Sequence, residues 1–228
     1  MFLTSSCAGV VLGENCGCLS LSQAISHGDL QGMKDFLMRR QVATTSWSDI
    51  FETPLQKACC CGQVDVVKEL LLQNRKMPNE MESLALDNAA GNGNLETVVE
   101  LCENNSALLR QENSDSYGLV IPVVRSSNAG KGEVTRYLYK QTPLGVLMED
   151  EGYWATCLLL DAVFYGFLDI VLGILDRIPP DQVPSLAVTK HPRQRSSPLR
   201  FLALKPDLFR SHCDLGFWRR LSYSCMIP

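Results

Sequence analysis

Residues 53–71 read TPLQKACCCGQVDVVKELL, and this stretch decides the fold of the 228-residue chain. Thr53 and Pro54 predict the start of a helix, because threonine caps the first turn and proline is tolerated at the first helical position. Gly62 predicts a tight turn into a second, antiparallel helix. That second helix is predicted to bury an apolar stripe with i, i+4 spacing, which consists of Val66, Val67, Leu70 and Leu71.

The same unit recurs along the chain at intervals of 31 to 37 residues. A weaker sixth copy begins at Ser197. Units of this kind bury their apolar faces against their neighbours, so the repetition predicts a stack of helix pairs. The fourth copy carries the polar run RSSN at residues 125–128, which predicts a loosely packed first helix, since unpaired polar atoms are expensive to bury. The turn glycines of the five clear copies are Gly28, Gly62, Gly93, Gly130 and Gly166.

The pattern T-P-L-x-x-A-x-x-x-G-x-x-x-V-V-x-x-L-L resembles the ankyrin repeat, whose period is about 33 residues. This resemblance implies an all-α fold, an ankyrin-repeat solenoid of stacked helix-turn-helix units with about five to six repeats, the terminal ones degenerate. The predicted organisation is a poorly ordered leader at residues 1–18, an ankyrin repeat domain at 19–206 and a basic linker or tail at 207–228.

Three further segments resemble one plant subfamily, the ankyrin-repeat proteins with a C-terminal membrane domain called PGG. They are IPVV at 121–124 with RYLYKQTPL at 136–144, SPLRFLALKP at 197–206, and LGFWRRLSYSC at 215–225. The resemblance implies a non-catalytic scaffold for protein–protein interaction, the cytosolic repeat region of a membrane-tethered signalling or defence protein. The PGG motif and its hydrophobic helices are not in this sequence, so the alternative is a free soluble adaptor without the anchor.

Charge is distributed unevenly along the chain. From Val188 onward there are eight basic and two acidic residues, a charge of +6, whereas the preceding part carries −10. The acidic body argues against a general nucleic-acid partner, which requires a basic surface. The basic tail predicts proximity to the cytoplasmic side of a membrane, through attraction to anionic lipid or beside a C-terminal anchor. Residues 154–175 are almost apolar enough to span a bilayer, but Asp161 and Asp169 favour two stacked helices instead.

Loop segments just ahead of each T-P-L position are the predicted partner-binding fingers. Exposed aromatic residues on loops are typical interface anchors, and these segments combine aromatic with acidic side chains. Two alternatives stay open: the aromatic rings pack into gaps between repeats, and the carboxylates are merely solvated. Together with the concave face, the candidate protein-binding residues are Trp47, Asp49, Phe51, Glu82, Asp115, Tyr117, Asp150, Tyr153 and Trp154.

Ten cysteines and three histidines do not form a recognisable catalytic or metal-binding motif. No C-x-x-C spacing is present, so neither a zinc ligand set nor any cofactor site is predicted. Glycine-containing segments at 91–93 and 130–132 lack the spacing of phosphate-binding loops, and no enzymatic activity is expected. The adjacent Cys59, Cys60 and Cys61 leave one remaining alternative, a thiol- or metal-based redox sensor.

Overall fold

A computed structural model describes residues 15–39, 53–73, 79–115, 118–189 and 196–204. The chain divides into two compact units, with the boundary between Pro143 and Leu144. The predicted leader at 1–18 and tail at 207–228 lie almost wholly outside the described residues. Their bounds therefore stay a prediction.

The first unit consists of four helix pairs in two rows. The first helices of successive pairs contact one another in the order α1, α3, α5, α7, and the second helices α4, α6 and α8 pack side by side behind them. This arrangement is the stacked solenoid that the repeated pattern predicts. Its elements are α1 (Asn15–His27), α2 (Leu30–Arg39), α3 (Pro54–Cys61), α4 (Val64–Gln73), α5 (Asn79–Asn92), α6 (Leu95–Asn104), a 3-10 helix (Ser106–Arg110), β1 (Asn113–Asp115), β2 (Gly118–Val120), α7 (Pro122–Asn128) and α8 (Gly132–Gln141).

Helix α3 begins and ends as its sequence predicts. The Thr53 hydroxyl accepts a hydrogen bond from the Gln56 backbone N–H, and the Gln56 side chain accepts one from the Thr53 N–H. This reciprocal pairing satisfies two N–H groups that a helix start otherwise leaves unpaired. The helix ends at Gly62, whose φ of 70° is left-handed and disfavours any residue with a Cβ.

The predicted stripe forms the core between the two rows. Val66 and Val67 are at most 1% exposed, and Leu70 and Leu71 are also buried. Equivalent positions of the neighbouring pairs, such as Met33, are buried as well. Apolar burial of this kind contributes about 1.5–3 kcal/mol per large side chain, which makes the stripe the main source of stability in each pair.

Helix α7 is not loosely packed, contrary to the prediction from its polar sequence. Ser126 and Ser127 are fully buried, but their hydroxyls donate to the carbonyl oxygens of Val123 and Val124. Thr135 of α8 also donates its hydroxyl to the Ser126 oxygen at 3.0 Å. The polar run therefore replaces apolar contact with satisfied hydrogen bonds, which removes the desolvation cost on which the prediction rested.

The described part of the second unit contains a longer first helix, its partner and three short helices. Helix α10 is followed by α11 after a left-handed Gly166 with φ of 77°, and α10 also contacts the short α12 and α13. Within the described parts of the chain, no helix is long and apolar enough to cross a membrane. The elements are α9 (Leu144–Leu147), α10 (Glu149–Tyr165), α11 (Leu168–Arg177), α12 (Val183–Val188) and α13 (Pro198–Ala203).

Candidate protein-binding surface

One finger of the first unit is a β-hairpin between the third and fourth helix pairs. Strands β1 and β2 pair antiparallel, with Asn113 opposite Val120. Asn113 fixes the hairpin to helix α5, because its amide donates to the Ser83 hydroxyl at 2.7 Å and its carbonyl oxygen accepts from that hydroxyl at 2.9 Å. Ser83 is fully buried and Asn113 is 7% exposed. The base of the finger is therefore held by a buried polar pair.

A polar cleft lies between the C-terminal half of α5, the helix to which the hairpin is fixed, and the C-terminal half of α7. Its volume is about 270 Å³. It lies on the side of the first helices that the second row does not cover. We call this side the first-helix face. The residues lining the cleft are Asn88, Gly91, Asn92, Arg125, Asn128 and Ala129.

An ion pair crosses the cleft and positions its one cationic lining residue. Arg125 Nε of α7 lies 3.3 Å from Asp87 Oδ2 of α5, and the Asp87 side chain is only 9% exposed whereas that of Arg125 is 34% exposed. Gly91 allows this approach, because a Cβ at that position would lie 3.1 Å from Arg125 Nε. The guanidinium group is thus held against α5 and remains accessible from the cleft.

The amide side chains give the first-helix face a mixed donor and acceptor character. Asn88 is half-buried, Asn92 is exposed and Leu84, one turn earlier on the same side of α5, is 41% exposed. Because the three residues are four positions apart, they form one continuous strip along the helix. Polar amides beside an exposed leucine and an arginine are typical components of a protein interface.

The structure places one of the predicted fingers in a helix and another at a kink. Residues 79–82 form the first turn of α5 and not a loop. Glu82 is 7% exposed, and its Oε2 accepts a hydrogen bond from Asn105 Nδ2 at 2.9 Å. The prediction that Glu82 lies at an exposed finger tip is wrong, because this side chain joins α5 to the loop after α6.

The predicted finger at residues 149–154 spans a kink, because Asp150, Glu151 and Gly152 have non-helical backbone angles, and the regular part of α10 follows them. Trp154 is 3% exposed and makes an edge-on contact with the half-buried Tyr153, whose ring centroid lies 4.7 Å away. Trp154 therefore packs inside the protein, which is the alternative that the sequence left open for the aromatic rings. Asp150 is exposed, and it and Glu151 have left-handed φ values of 49° and 60°.

Of the remaining predicted residues, the structure describes only Asp115. Trp47, Asp49, Phe51 and Tyr117 lie outside the described residues, and Asp115 is the last residue of β1. Strands β1 and β2 pair on either side of the predicted finger at residues 114–118, whose binding role stays a prediction. The cleft residues were missed, since their convergence depends on how α5 packs against α7. No local signal marks Arg125, because it falls at a variable position of the repeat pattern, where the second copy has Lys57.

The cysteine run lies at the end of α3. Cys59 is fully buried, Cys60 is half-buried and Cys61 is exposed, and burial raises the pKa of the Cys59 thiol. Burial also raises the pKa of Cys102 to about 12. A thiol with a raised pKa is protonated at neutral pH and reacts poorly. In the described ranges, no group of three or more metal-ligating side chains comes together.

Stacked helix pairs, left-handed turn glycines and a β-hairpin finger define this molecule as a helical-repeat protein. Comparison with known proteins specifies the repeat: the family model for ankyrin repeats, in three copies, matches residues 21–113. The fold is an all-α solenoid that carries ankyrin repeats at residues 21–113.

Solved structures agree with this fold. A chain in the structure of the Bd0816 predatory endopeptidase from Bdellovibrio bacteriovorus in complex with immunity protein Bd3460 is similar, with a TM-score of 0.61 and 18% identity over 82% of this chain and 92% of that one. The human ASB11 ankyrin repeat domain has a TM-score of 0.51 and 19% identity, over 86% and 85% of the two chains. No curated protein matches this sequence.

Proposed function

We propose that this chain is a non-catalytic scaffold that binds a protein partner through the first-helix face of the first unit and its hairpin finger. Ankyrin repeats indicate a protein–protein interaction scaffold, and a solenoid presents an extended surface suited to such contacts. One similar chain was solved in a protein–protein complex. The observation that carries the proposal is the polar cleft between α5 and α7 with Arg125 held across it.

The chemistry of the cleft favours an extended peptide segment with an acidic side chain. Asparagine amides offer both a donor and an acceptor, so they match the N–H and C=O groups of an extended main chain. The Arg125 guanidinium offers several donors suited to a carboxylate. Asp87 already neutralises part of this charge, so the carboxylate contact adds selectivity to a mainly amide-based site. The exposed Leu84 supplies an apolar contact nearby.

A pair of matched variants tests this assignment. Peptide display against the purified chain supplies a ligand, and its affinity is then measured for the Ala129→Trp and Asn104→Trp variants. Both residues are exposed near a helix C-terminus, but only Ala129 lines the cleft. We expect Ala129→Trp to weaken binding at least about tenfold, a change of about 1.4 kcal/mol, and Asn104→Trp to leave it unchanged. Equal affinities for the two variants would reject the cleft as the binding site.

The predicted finger residues add a second test. We propose that Trp47, Tyr117 and Tyr153 contact the partner. A triple alanine variant should therefore lose affinity for the ligand while it keeps most of its stability. If the variant binds the selected ligand as tightly as the parent, these residues are not part of the site. Because Tyr153 contacts the buried Trp154, the melting temperature of the Tyr153→Ala variant serves as the stability control.

The plant PGG resemblance refines the proposal to the cytosolic repeat region of a membrane-tethered signalling or defence protein. Its support is the three matching segments and the +6 charge after Val188. Each basic residue near an anionic surface is worth about 1 kcal/mol of attraction. Vesicle co-sedimentation tests it, and we expect binding to anionic but not neutral vesicles that weakens between low and physiological salt. An Arg219→Gln, Arg220→Gln variant should bind less, and negligible binding to both vesicle types would reject the refinement.

A further inference from the structure

Helix α11 has one buried and one exposed apolar side. Ile170 and Ile174 are 1% exposed, whereas Leu168, Leu172 and Leu175 are 44%, 61% and 39% exposed. The i, i+4, i+7 spacing of the three leucines places them within about 60° of one another around the helix axis. We call these three residues the α11 stripe. A row of exposed apolar side chains with a polar border usually marks a surface that binds another molecule.

Helices α4, α6 and α8 expose a different kind of side chain. Leu72 of α4 is a single exposed leucine, and isolated apolar residues of this kind are ordinary on protein surfaces. The other exposed residues of these helices are charged or carry amides, and they are Asp65, Lys68, Gln73, Glu96, Glu103, Asn104, Glu133, Lys140 and Gln141. A row of three exposed leucines therefore distinguishes α11 from these three helices.

An acidic edge borders the α11 stripe. Asp169 and Asp176 are exposed and seven residues apart, which places both of them about 80° from the middle of the stripe. Arg177, the basic residue of this helix, is half-buried and lies about 170° from the middle of the stripe. The exposed part of α11 is therefore a leucine row with carboxylates along one side.

The described parts of the second unit have the same sign of charge as this edge. Across residues 144–189 and 196–204 there are seven acidic residues and two basic ones, Arg177 and Arg200, which gives a charge of −5. An acidic surface attracts a basic partner and repels an acidic one. Charge therefore selects which molecules approach the stripe.

We propose that the α11 stripe binds an amphipathic helix of another protein, whose apolar row is bordered by lysine or arginine. The leucines pack against the apolar row, while Asp169 and Asp176 face the basic border and fix the orientation of the partner. A second copy of this chain does not match the edge, because the exposed part of its own α11 offers no basic side chain to these carboxylates. The stripe and the cleft lie in different units and select partners of opposite charge.

A display library of helical peptides tests the stripe. The library fixes leucines at i, i+4 and i+7, leaves the bordering positions random, and is selected against the purified full chain. We expect lysine and arginine to be enriched along one border of the leucine row, and Leu172→Gln to weaken the binding of a selected peptide at least about tenfold. Leu72→Gln is the matched control, because Leu72 is 65% exposed on α4, and it should leave the affinity unchanged. Glutamine is a good helix former, so both variants should keep the melting temperature of the parent.

Charge reversal tests the acidic edge separately. Asp176→Lys should weaken the binding of the selected peptide by up to about fivefold, which is the effect of an exposed ion pair. A peptide with glutamate in place of its basic residues should show the opposite change and bind this variant more tightly than the parent. Asp181→Lys makes the same change of charge at an exposed residue outside α11, and it should leave both affinities within about twofold of the parent values.

Three results of these measurements would overturn the proposal: selected peptides without a basic border, equal affinities for the parent and Leu172→Gln, or equal effects of Asp176→Lys and Asp181→Lys. So would a parent dimer in light scattering that Leu172→Gln converts to a monomer, because a second copy would then occupy the stripe. Ala129→Trp, which fills the cleft of the first unit, should leave the affinity of the helical peptide unchanged. A loss of affinity in that variant would place the peptide in the cleft and reject the stripe as its site.

Discussion

Asn94 is predicted to join two successive repeats, and its replacement tests that joint. The residue follows the turn glycine Gly93 and precedes α6, but its side chain makes no capping hydrogen bond to that helix. Its Nδ2 instead donates to the carbonyl oxygens of Cys59 at 2.6 Å and Cys60 at 3.0 Å, which belong to the C-terminal turn of α3. These carbonyls are among those that a helix end leaves without an intrahelical partner.

The magnitude follows from the two hydrogen bonds that are lost. Each is worth about 0.5–1.5 kcal/mol net, so Asn94→Ala should lower the free energy of unfolding by about 1–3 kcal/mol. Asn94→Asp should be at least as destabilising near neutral pH, because a carboxylate cannot donate and faces the negative end of the α3 dipole, which adds about 0.3–1 kcal/mol. Protonation of the new carboxyl in acid restores one donor, so the difference between the two variants should shrink as the pH falls.

Urea denaturation followed by circular dichroism measures these changes. Asn92→Ala is the matched control, because Asn92 is exposed and its amide bonds only to the Asn88 carbonyl oxygen within α5. We expect the control to change the free energy of unfolding by less than about 0.5 kcal/mol. A loss below about 0.5 kcal/mol for Asn94→Ala would refute the role of this side chain between repeats.

Three further predictions concern burial. Leu70→Ala should cost about 2–5 kcal/mol in a denaturant melt, because Leu70 is buried in the stripe of α4, and a loss below 0.5 kcal/mol would contradict the repeat register. Thr156→Val should stabilise the chain by about 1 kcal/mol, since the Thr156 hydroxyl is buried without a hydrogen-bond partner in the described structure. Thr135→Val should destabilise it, because that hydroxyl has two acceptors within reach, the Ser126 hydroxyl oxygen and the Lys131 carbonyl oxygen, and donates to one of them. Equal melting temperatures for the two valine variants would refute this. In native alkylation followed by peptide mapping, exposed Cys61 should react before Cys102, whose pKa burial raises to about 12, and the reverse order would be inconsistent with the fold.

The repeat unit could be predicted from sequence because its signals are local. A cap such as Thr53, a left-handed glycine such as Gly62 and an apolar stripe every few residues each specify the structure of their own segment. The structure confirms all three in the second repeat. Local signals of this kind suffice for a solenoid, because each unit packs against its neighbours and not against distant parts of the chain.

Contacts between repeats were not predictable in the same way. The side chain of Asn94 reads as a helix cap from sequence alone, and only the stacking of α3 beside α5 brings the Cys59 carbonyl within reach. Gln63 acts similarly one repeat earlier, where its Nε2 donates to the Ser26 carbonyl oxygen at 3.2 Å. Asp29, at the equivalent position of the first described pair, accepts a hydrogen bond from the Gly32 N–H of its own helix instead. An ionised carboxylate cannot donate to a carbonyl oxygen, whereas the amides of Asn94 and Gln63 can.

Three consecutive left-handed residues separate Glu149 from the regular part of α10. Asp150 and Glu151 adopt left-handed φ values at about 1–2 kcal/mol each, and Gly152 continues the turn. A Cβ on Gly152 would collide with the Leu186 side chain of α12, so the contact between α10 and α12 fixes this turn. Sequence patterns place such an acidic, glycine-containing run in a loop. Residues 150–152 are indeed non-helical, and the helix that follows them carries Trp154 into the interior.

Positions that the repeat pattern leaves variable are where the function of this chain is expected to lie. Positions that follow the pattern, such as Leu70 and Gly62, are explained by packing and turn geometry alone. Arg125 occupies a variable position of the pattern, where the second repeat has Lys57, and it is held across the cleft by Asp87. Neither turn geometry nor the apolar core requires this ion pair. A guanidinium group held in that way, beside asparagine amides, points to a partner on the first-helix face.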